Sequence, residues 1–99
     1  MKEILLQSWC VAFASARGVV GIRLHGSQNS GQPDYVFLFD DGVSVFVEFK
    51  REGKALEKLQ AWWREQILRV KHRHYKIDTQ EDFKHLFVRY PYPAQRAKT

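Results

Sequence analysis

Apolar residues recur at helical spacing over residues 3–16, where Leu5, Trp9, Ala12, Phe13 and Ala16 fall on one face, and Gly18 follows as a stop signal. The period then changes. Residues 19–24 read as a first strand, and residues 25–31 as a polar loop that delivers the chain to Pro33. Residues 34–39 and 43–50 are rich in β-branched and aromatic side chains and flank Asp40-Asp41-Gly42, which is the pattern of a β-hairpin. The expected connection is a three-residue loop with Gly42 left-handed, a type I turn closed by a bulge. Helical spacing returns from about residue 54 to 71, with Leu56, Leu59, Trp63, Ile67 and Val70 set to pack on the sheet. Residues 74–78 read as a last strand, and Thr79 with Asp82 forms a capping signature that starts a short helix through about residue 87.

This order, αβββαβα, predicts a small α/β domain over residues 1–88, a mixed sheet of about four strands flanked by helices. Residues 89–99 follow as a basic tail in which Tyr90 and Tyr92 alternate with Arg89, Arg96 and Lys98. A chain of 99 residues can form one core and buries about two-thirds of its unfolded surface. The single cysteine, Cys10, excludes an internal disulfide framework and, lying at helical spacing beside Phe13, is expected in the core. No apolar stretch approaches a membrane span, so a soluble cytoplasmic protein is expected. His72 and His74 lack a matching pair of ligands at zinc-site spacing.

The hairpin has a chemical consequence. Pairing symmetric about Asp41 sets Asp34 directly opposite Glu48, on one sheet face with Lys50 two residues on. A two-residue turn would send the two acids to opposite faces unless a bulge restored the parity. Carboxylates about 5 Å apart repel by about 3 kcal/mol at an effective dielectric of 20. A divalent cation relieves that repulsion, and one or two carboxylates completed by waters and a phosphate describe a Mg²⁺ site. Lys50 is placed to stabilise charge developing on a phosphoryl centre.

Net charge is +5, which favours a polyanionic partner. Placement says more than the total: Lys50, Arg51, Lys54 and Lys58 follow directly from the proposed metal site, where a nucleic-acid strand would lie. Gln60 interrupts the apolar face of the long helix and either hydrogen-bonds structurally or supports the site. Trp62, off that stripe, suits a subunit contact or a cover for the sheet edge. His25 borders the site and either touches substrate or serves the strand end.

Gly31-Gln32-Pro33-Asp34, then Glu48-Phe49-Lys50, then Gln60 on a helix resemble the motif series of the PD-(D/E)XK nuclease superfamily, and within it the virus-type replication-repair nuclease (VRR-NUC) family. The resemblance spans about residues 3–87. It implies a restriction-endonuclease-like core, with Mg²⁺ or Mn²⁺ held by Asp34, Glu48 and the backbone carbonyl of Phe49, and with Lys50 and Gln60 catalytic. Glu3 matches an acid that the family places near the start of its first helix. Members of this size are bacterial or phage-encoded homodimers that cut branched DNA, such as four-way junctions. Where the family carries a glycine after its long helix, this chain has Lys71-His72-Arg73-His74. The alternatives are a monomeric nickase or flap nuclease, and a DNA-binding module without catalysis; the paired acids argue against the latter, because phosphate binding needs cations.

Overall fold

The structure is a computed structural model and describes residues 1–24 and 31–97. Its elements are α1 (Glu3–Ala16), β1 (Val20–Arg23), β2 (Tyr35–Leu38), β3 (Ser44–Phe49), α2 (Lys58–Arg69), β4 (Arg73–Ile77), α3 (Gln80–Arg89) and a short α4 (Pro93–Ala97). The sheet runs β1-β2-β3-β4, with β1–β2 and β2–β3 antiparallel and β3–β4 parallel. A parallel pair needs a crossover, and α2 supplies it. The expected mixed sheet of four strands flanked by helices is therefore present.

Strand alternation divides the sheet into two faces. Phe37, Val45, Val47 and Phe49 are fully buried on one face, where they meet Leu6, Cys10 and Ala14 of α1 and Phe83, Leu86 and Phe87 of α3. Phe37, Phe49 and Phe83 interlock with ring centroids 5.1–6.3 Å apart, at angles and spacings that aromatic quadrupoles favour. Cys10 belongs to this core, and burial pushes its thiol up to about 12. The opposite face lies under α2, and only over the β3–β4 half. Val20, Ile22 and Leu38 on the β1–β2 half are exposed.

Three local expectations are corrected. The buried stripe of α1 is Leu6, Cys10 and Ala14 rather than one centred on Leu5, Ala12 and Ala16, which are exposed. Trp9 and Phe13 stack at 4.9 Å along the border of this stripe, so large residues at the edge displace the apparent centre of the face. On α2, which starts at Lys58 instead of near residue 54, only Ile67 of the expected stripe is buried, while Leu59 and Val70 are exposed. The sheet half beneath this helix carries polar side chains and offers little apolar surface to pack against.

The third correction is the hairpin turn. Asp41 and Gly42 both have positive φ, 59° and 73°, as in a primed two-residue turn rather than a type I turn. The Phe39 N–H donates to the Val43 carbonyl at 2.8 Å, while the Val43 N–H donates to Asp40 at 3.1 Å. Asp40 is thus the extra residue of a bulge, and its own N–H leaves the ladder for the Pro91 carbonyl. The bulge restores the parity that the shorter turn would have lost.

After α2, Lys71 takes the left-handed conformation, φ 70°, at the terminating position that glycine usually fills. At the start of α3, Thr79 Oγ1 accepts the Asp82 N–H at 3.1 Å as its capping signature predicts. Ordered structure continues past residue 88, for Tyr90 and Tyr92 pack on the core and the Ala94 N–H donates to the Arg17 carbonyl. Among the described residues no helix is long and apolar enough to cross a membrane.

Candidate metal centre

The β2–β3 ladder ends with Tyr35 opposite Val47, so Asp34 and Glu48 are the next pair out, on the face beneath α2. The Asp34 N–H donates to the Val47 carbonyl at 3.1 Å, and its Oδ2 accepts the Phe49 N–H at 2.9 Å. Backbone and side chain together pin Asp34 against Glu48. Gly31, just before it, has φ 70°, and a Cβ there would lie 2.7 Å from Leu59. Only glycine lets this entry segment pass so close to α2.

Glu48 is 3% exposed. Its Oε2 accepts a hydrogen bond from Gln60 Nε2 at 3.3 Å, while Oε1 is buried with no partner. Gln60 also caps its own helix, its Oε1 accepting the Glu57 N–H at 2.9 Å. The same side chain therefore caps its helix and contacts Glu48. Burial pushes the Glu48 carboxyl from 4.5 up to about 9, reinforced by the charge of Asp34 and a hydrogen bond shared with it; Lys50 pulls it down, and Glu3 adds a small push upward. Lys50 is itself 4% exposed, one pleat beyond Glu48, with its N–H held by the Ile77 carbonyl at 3.0 Å.

These residues suit a hard divalent cation. A buried carboxyl oxygen without a partner costs about 1–3 kcal/mol, and a cation between the two acids would remove that cost and take the place of the proton that burial and Asp34 keep on Glu48. Asp34, Glu48 and the adjoining Phe49 carbonyl are oxygen donors of the type such ions take, with waters free to complete the shell. Among the described residues no three His, Cys, Asp or Glu side chains cluster for a metal, unlike the closed ligand set of structural zinc. Glu3 is exposed in the first turn of α1, near enough for its charge to be felt at Glu48.

Arg51, Lys54 and Lys58 are exposed along the segment that leads from Lys50 into α2. Lys54 Nζ lies 4.0 Å from Glu57 Oε1, an exposed pair of little energetic weight. Trp62 is half-exposed and meets Trp63 edge to face at 5.4 Å. His25, the remaining expected contact, lies outside the described residues.

Two residues that sequence reasoning passed over shape this region. Lys76 stands beside Glu48 in the β3–β4 ladder, but its Nζ donates to the Lys54 carbonyl at 3.0 Å and lies 3.8 Å from Asp78 Oδ2. Asp78 in turn accepts the Gly53 N–H at 3.0 Å. Together they tether the basic segment to the end of β4. The period-2 placement of His74, Lys76 and Asp78 was the available signal.

No protein-family profile matches the chain, and no curated protein matches it. A solved structure described as a VRR_NUC domain does, with a TM-score of 0.80 and 22% identity, over 89% of this chain and 96% of that one. At that identity the likeness establishes the fold, and it is the fold expected from the motif series.

Proposed function

We propose that the protein is a Mg²⁺- or Mn²⁺-dependent, structure-selective DNA endonuclease that hydrolyses phosphodiester bonds in branched DNA, as a homodimer acting on four-way junctions. The observation that carries this reading is buried Glu48 paired with half-buried Asp34, with one Glu48 oxygen unclaimed and Lys50 beside it. Motif order and the shared fold support it.

When bound, a divalent ion would polarise the scissile phosphate and lower the pKa of a water. Asp34 and Glu48 would hold it, together with the Phe49 carbonyl, and Gln60 would keep the Glu48 carboxylate oriented. Lys50 would stabilise negative charge on the phosphoryl oxygens in the transition state. Arg51, Lys54 and Lys58 would engage neighbouring phosphates. So small a domain has little surface for reading bases, which favours recognition of DNA shape. The open apolar strip of Val20, Ile22 and Leu38 supports the dimer, and two centres related by a twofold axis suit paired cuts across a junction.

Linear, flap and four-way DNA incubated with the protein, with and without Mg²⁺, test the reading. Paired cuts in the four-way substrate that require the metal are expected. Flap-only or single-strand cuts would favour a monomeric nickase, and binding without cleavage under Mg²⁺ or Mn²⁺ would favour a binding module.

A further inference from the structure

At the opposite end of β4 from Glu48, a cavity of about 430 Å³ opens between α2 and the end of α3. Arg64, Arg73 and Arg89 line it, with His74, Tyr75 and Tyr90, and no carboxylate is among its lining residues. The guanidinium groups of Arg73 and Arg89 lie 5.4 and 5.9 Å from the centroid of one ring, that of Tyr90. Tyr75 and Tyr90 share a hydroxyl–hydroxyl hydrogen bond at that wall. The ion pairs Lys54–Glu57, Lys76–Asp78 and Lys84–Glu81 do not involve these arginines.

His74 adds a second observation. It is 3% exposed, and its Nδ1 is buried with no hydrogen-bond partner. Burial, then the charge of Arg64, lowers its pKa to about 4, so the ring is neutral at physiological pH. Three cations gathered without a counter-ion repel one another, the mirror of the two acids at the other end of the sheet. An anion would relieve this strain, and guanidinium forks match the geometry of phosphate oxygens.

We infer that the Arg64–Arg73–Arg89 cavity is a second phosphate-binding site, which holds a backbone phosphate of the DNA away from the scissile bond. The inference rests on the nuclease reading for its occupant. Spacing supports that occupant: Arg73 pairs with Val45 and Lys76 with Glu48. Three strand residues at about 3.3 Å each put the cavity roughly 10 Å along β4 from the acids, near enough for a neighbouring phosphate of the same DNA. Arg64 also lies one turn beyond Gln60 on α2, so a single rigid helix links the two sites.

Two measurements test it. Titration of the whole protein with inorganic phosphate, followed by NMR of the His74 ring, should shift its signals, and Arg64→Gln with Arg73→Gln should abolish the shift. Binding to four-way DNA in Ca²⁺, which limits turnover, should lose about one unit of the log affinity against log salt slope for each arginine replaced. Since Arg64 and Arg89 are exposed, Arg64→Gln and Arg89→Gln alone give the slope in folded protein. Normal DNA binding with unchanged slopes, or no His74 response to phosphate, overturns this inference. Wild-type protein that answers phosphate at His74 but binds no DNA overturns the nuclease reading, and with it the proposed occupant.

Discussion

Phe37, Val45, Val47 and Phe49 point to one face of the sheet, and Phe46, Glu48 and Lys50 to the other, within the same few residues of chain. The first face is dry and closed by α1 and α3. The second is half covered by α2 and buries Glu48, Lys50 and His74, with a Glu48 oxygen and a His74 nitrogen unpaired. Apolar burial contributes about 25 cal/mol per Å², whereas each unpaired buried polar atom costs about 1–3 kcal/mol. Stability thus comes from one face, while the other buries the candidate site residues at a cost to it. Separating the two faces lets Glu48 stay buried and aligned with Asp34 without the core having to accommodate them.

The largest expected effect lies on the dry face. Phe37→Ala should destabilise the protein by about 3–5 kcal/mol, the usual cost of truncating a fully buried phenylalanine. Urea unfolding measures it, and a loss below about 1 kcal/mol would mean that this face is not where stability resides. On the other face, Lys50→Ala should slow cleavage by about 10²- to 10³-fold, or about 3–4 kcal/mol in the barrier, with unfolding little changed. A parallel fall in stability and rate would erase the division between the faces.

Glu48 should make the metal-free protein's stability depend on pH. Its folded carboxyl is raised to about 9, so the folded state keeps a proton that the unfolded chain releases above about 4.5. Stability should therefore fall as pH rises through that window. Glu48→Gln should flatten the profile, and Mg²⁺ should offset the loss by stabilising the ionised form. A metal-free profile that rises between pH 5 and 9 and is unaltered by the substitution would contradict the assignment. The smallest effect is expected at His74: His74→Leu removes an unpaired imidazole nitrogen while filling similar space, and should stabilise the protein by about 1 kcal/mol in urea unfolding.

The features legible in the sequence were those with a strict period. Alternation along residues 34–39 and 43–50 predicted which side chains share a face, and pairing symmetric about Asp41 brought Asp34, Glu48 and Lys50 together. The turn type was misread although Asp41-Gly42 favours the primed two-residue turn, because a three-residue loop satisfies the same pairing parity without a further bulge. Helical faces are broad, so Trp9 and Phe13 at the border of α1 drew its predicted stripe off centre. The stripe on α2 was misread because periodicity reports which residues could pack and not whether the sheet beneath is apolar. The meeting of Arg64, Arg73 and Arg89, from two helices and a strand, depends on tertiary structure and has no local signal.

The proposed function stands or falls with a catalytic divalent cation held by Asp34 and Glu48. Single-turnover cleavage of four-way DNA, measured against Mg²⁺ concentration for wild type and Glu48→Gln, tests it most directly. The wild-type rate should rise and saturate with Mg²⁺ and vanish in EDTA, with no cleavage by Glu48→Gln at any Mg²⁺ concentration. Equal rates for the two proteins, or wild-type cleavage that persists in EDTA, would contradict it.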